Sequence, residues 1–238
     1  MERDPTYIAR LMALPDRERR MLLYGVWDIA NEGLVYDDFD TMRHVVEPFE
    51  IPEHWTRLRS IDFGYNNPFV CLWLALSPDD ELYLYREIYE TARLVSDLAD
   101  EITALTGHER IVVTVADHDV ENRAELNRRG VPTVPAIKRI QEGISEVRAR
   151  LAADRRGRSR LYVLRDSTVR TDARLAAQGA PTSTREEFAV YRYGESAVAS
   201  TEAPLDLHDH GMDALRYACM YLRHRRQKAT RWRSVSGI

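Results

Sequence analysis

Three aspartates stand where chemistry could be done. Asp62 falls within the segment Leu58 to Phe63, and Asp117 directly follows the apolar run Ile111 to Ala116, so each stands at the end of a strand-like stretch. Asp213 lies near the start of an apolar-periodic stretch at about 210–226. Asp209 and His210, four and three residues earlier, share its face if the helix begins that early. Such a set suits hydrolysis of a phosphate ester. At neutral pH that reaction needs an activated water and a neutralised leaving oxygen, which two Mg²⁺ or Mn²⁺ ions ~3.5–4 Å apart supply. Hard ions take oxygen ligands, which favours aspartate over cysteine. Carboxylates gathered without a cation repel one another, so the site predicts metal binding linked to deprotonation.

Each residue also has a plainer reading. Asp62 could cap the turn Phe63-Gly64-Tyr65. Asp117 could be a turn or N-cap residue, although Asp119 is the better cap for the next helix. Asp209 and Asp213 could simply favour a positive helix N-terminus. Asp206 with His208, Asp209 and His210 permits zinc, but no second His/Cys pair is spaced to complete such a site. No GxxxxGK[ST], GxGxxG or GxSxG pattern occurs, so neither nucleotide binding nor a serine nucleophile is indicated.

The elements needed to position these residues are legible. After Pro48 and Pro52, residues Leu58 to Phe63, Phe69 to Leu76 and the alternating stretch from Leu82 to Ile88 predict a three-strand meander. The Ser77-Pro78-Asp79-Asp80 turn separates the last two. Leu94, Val95, Leu98, Ile102 and Leu105 predict a helix ended by Gly107. A strand at Ile111 to Ala116, a helix at about 120–129 stopped by Gly130, and an edge strand at Val131 to Ile137 follow. Ile137, Ile140, Ile144, Val147 and Leu151 mark an amphipathic helix, and Leu161 to Leu164 a short strand. Residues 186–198 read as a hairpin around Gly194. The last helix buries Met212, Leu215, Cys219 and Leu222. This is an α/β order with a mixed sheet. Residues 1–54 read as an appendage or linker, 55–226 as the main domain, and 227–238 as a basic tail with little to order it.

The 238 residues are 44% hydrophobic and 30% charged, an ordinary globular composition. No apolar run is long enough for a membrane helix, and the charged N-terminus has no signal core. Cys71 and Cys219 lie in apolar stretches and read as buried, reduced thiols of a cytoplasmic protein. The net charge of −4 argues against a protein that grips nucleic acid over its whole surface. The charge is uneven, however: residues 148–170 hold eight arginines against two acids, and 223–233 hold six Lys/Arg and no acid. These patches could be phosphate contacts or simply solvated faces.

Taken together, the motifs resemble those of one family. Asp62-Phe63-Gly64-Tyr65-Asn66-Asn67-Pro68 looks like the opening strand and turn of the phage terminase large subunit nuclease domain. Ala116-Asp117 with its helix and Gly130 resembles the family's second acidic position. Lys138 with Gly143-Ile144 resembles its K…GI segment. His210-Gly211-Met212-Asp213-Ala214-Leu215-Arg216-Tyr217 resembles its H-x-x-D-A-x-R-Y helix. Leu22 to Trp27 and Gly33 to Tyr36 are similar to the stretch joining the packaging ATPase to the nuclease.

The resemblance implies a ribonuclease H-like mixed sheet whose first strand lies centrally, beside the fourth, so that Asp62 and Asp117 end neighbouring parallel strands. It implies a two-metal (Mg²⁺ or Mn²⁺) endonuclease cutting concatemeric viral DNA in the host cytoplasm, with Asp62, Asp117 and Asp213 as metal ligands and Asp209 and His210 accessory. Lys138, Arg139, Arg155, Arg156 and Arg158 would contact double-stranded DNA. The implied partners are the terminase ATPase domain, the small terminase subunit and the portal. The family's ATPase motifs are missing, so the resemblance also implies a C-terminal fragment or a separate nuclease chain. A junction resolvase of the same fold and a non-catalytic docking module are the rival readings.

Overall fold

A computed structural model describes residues 33–194 and 203–236. In chain order the elements are helix α1 (Thr41–His44), strands β1 (Val45–Val46), β2 (Thr56–Asp62), β3 (Phe69–Leu76) and β4 (Leu82–Glu90), helix α2 (Val95–Thr106), β5 (Ile111–Ala116), α3 (Val120–Arg128), β6 (Val134–Pro135), α4 (Ile140–Leu151), β7 (Leu161–Leu164), α5 (Ala173–Gln178), α6 (Thr184–Glu187) and α7 (His210–Ser236). The strands form one seven-stranded sheet in the order β1-β7-β4-β3-β2-β5-β6. β2, β3 and β4 pair antiparallel, as the meander required, and β5 lies parallel to β2.

Strand β3 shows why the sheet is central. Its side chains alternate between faces, and both faces are buried. Val70, Leu72 and Leu74 join Leu215, Ala218 and Leu222 of α7 and Ile144 and Val147 of α4. Phe69, Cys71 and Trp73 join Leu98, Ala99 and Ile102 of α2 on the opposite face. The result is a three-layer α/β/α sandwich in which α7 lies across the strands that carry the acids. Cys71 and Cys219 are both free and buried, as read from their apolar surroundings.

The structure departs from the sequence reading in four places. The boundary at 54 lies too late: Val35 and Tyr36 are core residues, Phe39 stacks on Phe188 at 4.0 Å, and β1 pairs with β7. The expected strand at Val131 to Ile137 shrinks to Val134–Pro135, because Pro132 and Pro135 lack the amide hydrogens a ladder needs. Residues 186 and 187 of the expected hairpin belong to helix α6 instead, while Tyr193 bridges antiparallel to Pro204; residues 195–198 of that expectation lie outside the described residues. Finally, α7 continues through the basic stretch to Ser236 instead of ending near 226.

Candidate active site

The parallel pairing of β2 with β5 sets the site. Ile61 is in register with Ala116, and the Asp117 amide donates to the Ile61 carbonyl at 3.1 Å. The two strands therefore release Asp62 and Asp117 side by side at one end of the sheet. The chain then turns tightly back into β3. A Cβ on Gly64 would lie 2.3 Å from the Pro68 carbonyl oxygen, so only glycine fits this turn.

The first turns of α7 cover the same end. His210 Nδ1 lies 3.0 Å from Asp62 Oδ2. The Tyr217 hydroxyl donates to Asp213 Oδ2 at 3.0 Å and sits 3.3 Å from Asp62 Oδ1. Asp62 and Asp213 thus share the Tyr217 hydroxyl, and Asp117 follows the neighbouring parallel strand at the same end of the sheet. Asp209 is adjacent and mostly buried. A cavity of about 280 Å³ adjoins the site, lined in part by Lys138, Asp213, Arg216 and Tyr217. A larger cleft of about 960 Å³, lined by Phe49, Arg57, Tyr85 and Arg110 among others, includes none of Asp62, Asp117, Asp209 and Asp213.

The electrostatics reflect the crowding. Burial pushes the Asp62 carboxyl up to about 6; the His210 hydrogen bond opposes this, and the charges of Asp213 and Asp117 add to it. Asp209 is likewise pushed up to about 6, first by burial and then by Asp213. Burial works against a charge on His210, but its bond to Asp62 and the charges of Asp62, Glu187 and Asp209 outweigh that and raise its pKa.

Cations of the chain itself face the acids. Lys138 Nζ is 2.5 Å from Asp117 Oδ1 and 5.8 Å from the Tyr217 ring centre. The buried Arg216 pairs with Asp213 and donates to the Tyr191 hydroxyl at 2.8 Å. Gly143 of α4 makes room for it, since a Cβ there would lie 3.2 Å from Arg216 Cδ. With Asp117 drawn onto Lys138 and Asp213 onto Arg216, no three His, Cys, Asp or Glu side chains form a metal-holding group among the described residues. That also leaves the zinc reading of Asp206, His208, Asp209 and His210 without a preformed cluster.

The expected DNA contacts do not assemble. Arg139 is exposed near the site and pairs with Glu142 at 3.0 Å. Arg155, Arg156 and Arg158 precede β7, at the edge where Leu161 pairs with Leu82 and where Thr56 begins β2 opposite Leu76. That is the end of the sheet away from Asp62, and Arg158 there pairs with Asp154 at 3.3 Å. The reason is the direction of α4: it starts near Lys138 and carries the chain to the far edge before the arginines occur.

Two buried acids escape sequence reasoning. Glu87 on β4 accepts from Thr168 Oγ1 at 2.7 Å and from the Thr184 amide at 3.0 Å. Glu187 of α6 accepts from the Tyr89 hydroxyl at 2.6 Å and from the Met212 amide at 2.9 Å. Nothing in their local pattern marks them as buried. The helix that carries Glu187 does have a signal: Ser183 caps it, with Glu186 three residues on, as in a capping box.

No protein-family model matches the chain, and no curated protein matches it. Solved structures do. The large terminase of a thermophilic bacteriophage superposes with a TM-score of 0.63 at 19% identity, over 79% of this chain and 44% of that one. The P22 large terminase nuclease domain superposes with a TM-score of 0.62 at 19% identity, over 82% of this chain and 94% of that one. The large terminase nuclease of thermophilic phage G20c, solved with bound cobalt, gives 0.51 at 16% identity over 79% and 97%. The chain thus spans less than half the length of the first of these proteins. Its fold is the ribonuclease H-like fold of large terminase nuclease domains, with the mixed seven-stranded sheet described above.

Proposed function

We propose that this chain is a metal-dependent DNA endonuclease of the terminase type, cutting concatemeric viral DNA during genome packaging in the host cytoplasm. The observation that carries this reading is the convergence of Asp62, Asp117 and Asp213 at one sheet end, under the first turns of α7. The fold it shares with terminase nuclease domains supports the same reading.

The donor set fits Mg²⁺ or Mn²⁺. It offers carboxylate oxygens, and the upward shifts of Asp62 and Asp209 are what buried, like-charged acids show when no cation balances them. Asp62, Asp117 and Asp213 would hold two ions, with Asp209 and His210 accessory. When bound, the ions supply an activated water and neutralise the leaving oxygen. The chain's own groups do the rest. Tyr217 orients the Asp213 carboxylate and Arg216 holds it from the other side. His210 fixes the rotation of Asp62. Lys138, exposed beside Asp117, is placed to exchange its carboxylate for a DNA phosphate.

In the packaging motor the partners would be double-stranded DNA, a terminase ATPase domain, the small subunit and the portal. The ion pairs on Asp117 and Asp213 favour a second reading, a module whose site opens only in that assembly. Incubation of supercoiled plasmid with Mn²⁺, Mg²⁺ or EDTA, beside a folded Asp213→Ala variant, tests both. Metal-dependent linearisation lost in the variant supports the nuclease. Metal binding without cleavage supports the assembly-dependent module, and cleavage that survives in the variant overturns the assigned site.

A further inference from the structure

Helix α7 carries His210 and Asp213 in its first turn, so whatever fixes that turn fixes their distance from Asp62. The turn rests on Glu187, which is 0% exposed. Glu187 Oε2 accepts from the Met212 amide at 2.9 Å, and Oε1 accepts from the Tyr89 hydroxyl at 2.6 Å. Tyr89 belongs to β4 and is in register with Val70 of β3, which in turn pairs with Asp62 itself. A continuous line of bonds therefore runs from the helix start, through one buried carboxylate, to the strands beside the acid site.

The packing is tight enough to make this line a constraint. A Cβ on Gly211 would lie 2.4 Å from Thr184 Oγ1 and 2.9 Å from Glu187 Oε2, so the helix start approaches α6 as closely as glycine allows. A buried carboxylate is costly to desolvate, and an apolar side chain would fill the same volume without that cost. The carboxyl oxygens do have a use at a helix N-terminus, where they accept from amide groups that have no partner within the helix.

We propose that Glu187, held by Tyr89, is a positioning residue for the metal site: it sets the first turn of α7 and with it the spacing of His210 and Asp213 from Asp62. This rests on the endonuclease reading, and the test separates the two. Mn²⁺ affinity is measured by titration calorimetry, well below the melting temperature, for wild type, Glu187→Ala, Glu187→Gln, Tyr89→Phe and Asp213→Ala, with folding checked by circular dichroism. Outer partners of metal ligands typically change affinity about 10–100-fold. Glu187→Ala is expected to weaken Mn²⁺ binding by roughly 10-fold, Tyr89→Phe by less, and Glu187→Gln, which keeps an acceptor for the Met212 amide, to recover most of the loss. A merely structural role would lower the melting temperature and leave the affinity of the folded protein unchanged. Wild-type affinity in folded Glu187→Ala and Tyr89→Phe overturns the positioning role alone, and Tyr89→Phe decides if Glu187→Ala does not fold. A wild type that binds no Mn²⁺ overturns the metal reading and this role with it.

Discussion

The Asp117 amide donates to the Ile61 carbonyl at 3.1 Å, extending the last β2–β5 pair, Ile61 with Ala116, by one residue, and this bond brings Asp117 beside Asp62. The consequence can be measured one acid at a time. Asp62→Asn keeps a hydrogen-bonding side chain beside His210 and Tyr217 but removes the charge. Loss of an outer partner already costs about 10–100-fold in metal affinity, so loss of this carboxylate is expected to cost at least that much. Mn²⁺ titration of Asp62→Asn and Asp117→Asn checks it, and undiminished affinity in both would remove this sheet end from the site.

Lys138 provides a prediction of opposite sign. Its ammonium group lies 2.5 Å from Asp117 and competes with any other cation for that carboxylate. In Lys138→Ala, Mn²⁺ binding in the absence of DNA is expected to strengthen, while affinity for duplex DNA falls. Calorimetry and a DNA-binding titration on the same protein separate the two effects. A loss of Mn²⁺ affinity would instead make Lys138 an organiser of Asp117.

The arginines before β7 lead to a negative result that is just as specific. β2 has seven residues, so the sheet separates its two ends by ~20 Å at ~3.3 Å per residue. Arg155→Ala with Arg156→Ala is expected to leave plasmid cleavage nearly unchanged. Each lost phosphate contact lowers the salt slope of DNA binding by about 0.9. The slope is therefore expected to hold in this double variant and to drop in Lys138→Ala with Arg139→Ala. A drop in the first and not the second would show that DNA follows the far edge.

These contrasts mark what the sequence can convey. The strand end at Asp117 is readable because the apolar run Ile111–Ala116 stops abruptly at an acid, and that at Asp62 because the turn residues Phe63-Gly64 follow it. The register that joins them is readable only through the order of elements. Charge alone groups the arginines at 155–158 with the acids, because it carries no information on the direction of α4; that 12-residue helix takes the chain to the opposite edge. Glu87 and Glu187 are invisible for a different reason. A buried carboxylate is defined by partners far along the chain, here Thr168 and Thr184 for one and Tyr89 and Met212 for the other. The continuation of α7 to Ser236 has no apolar periodicity to announce it, since the stretch after Leu222 is dominated by basic and polar residues.

Glu187 also sets a pH dependence. Burial pushes its carboxyl from 4.5 up to about 7, against the bonds from Tyr89 and the Gly211 and Met212 amides and the charge of His210. A group whose folded pKa is raised contributes stability below its unfolded value and loses it as pH rises through the folded one. The metal-free protein is therefore expected to lose stability between about pH 4.5 and 7 from this residue. Glu187→Gln removes that contribution, so the variant's stability should fall less steeply over the same window. Urea unfolding across the window checks it; parallel slopes would show that Glu187 stays ionised in the folded protein.

The turn after Asp62 provides a stability prediction that also reports on the site. A Cβ on Gly64 would meet two backbone oxygens, those of Pro68 at 2.3 Å and Asn67 at 2.5 Å. Backbone cannot rotate away as a flexible side chain can, so Gly64→Ala must open the turn. Overpacking of this kind costs about 1–3 kcal/mol. In a domain of this size each kcal/mol lowers the melting temperature by roughly 2–4 °C. Because the turn begins two residues after Asp62, opening it also shifts that carboxylate relative to His210, and Mn²⁺ affinity is expected to fall together with the melting temperature. Gly157→Ala is the control: its glycine has φ +77° and open space around it, on the far edge of the sheet. It should lower stability through backbone strain and leave Mn²⁺ affinity intact. Equal losses of affinity in the two variants would mean that affinity follows global stability and not the geometry of this turn.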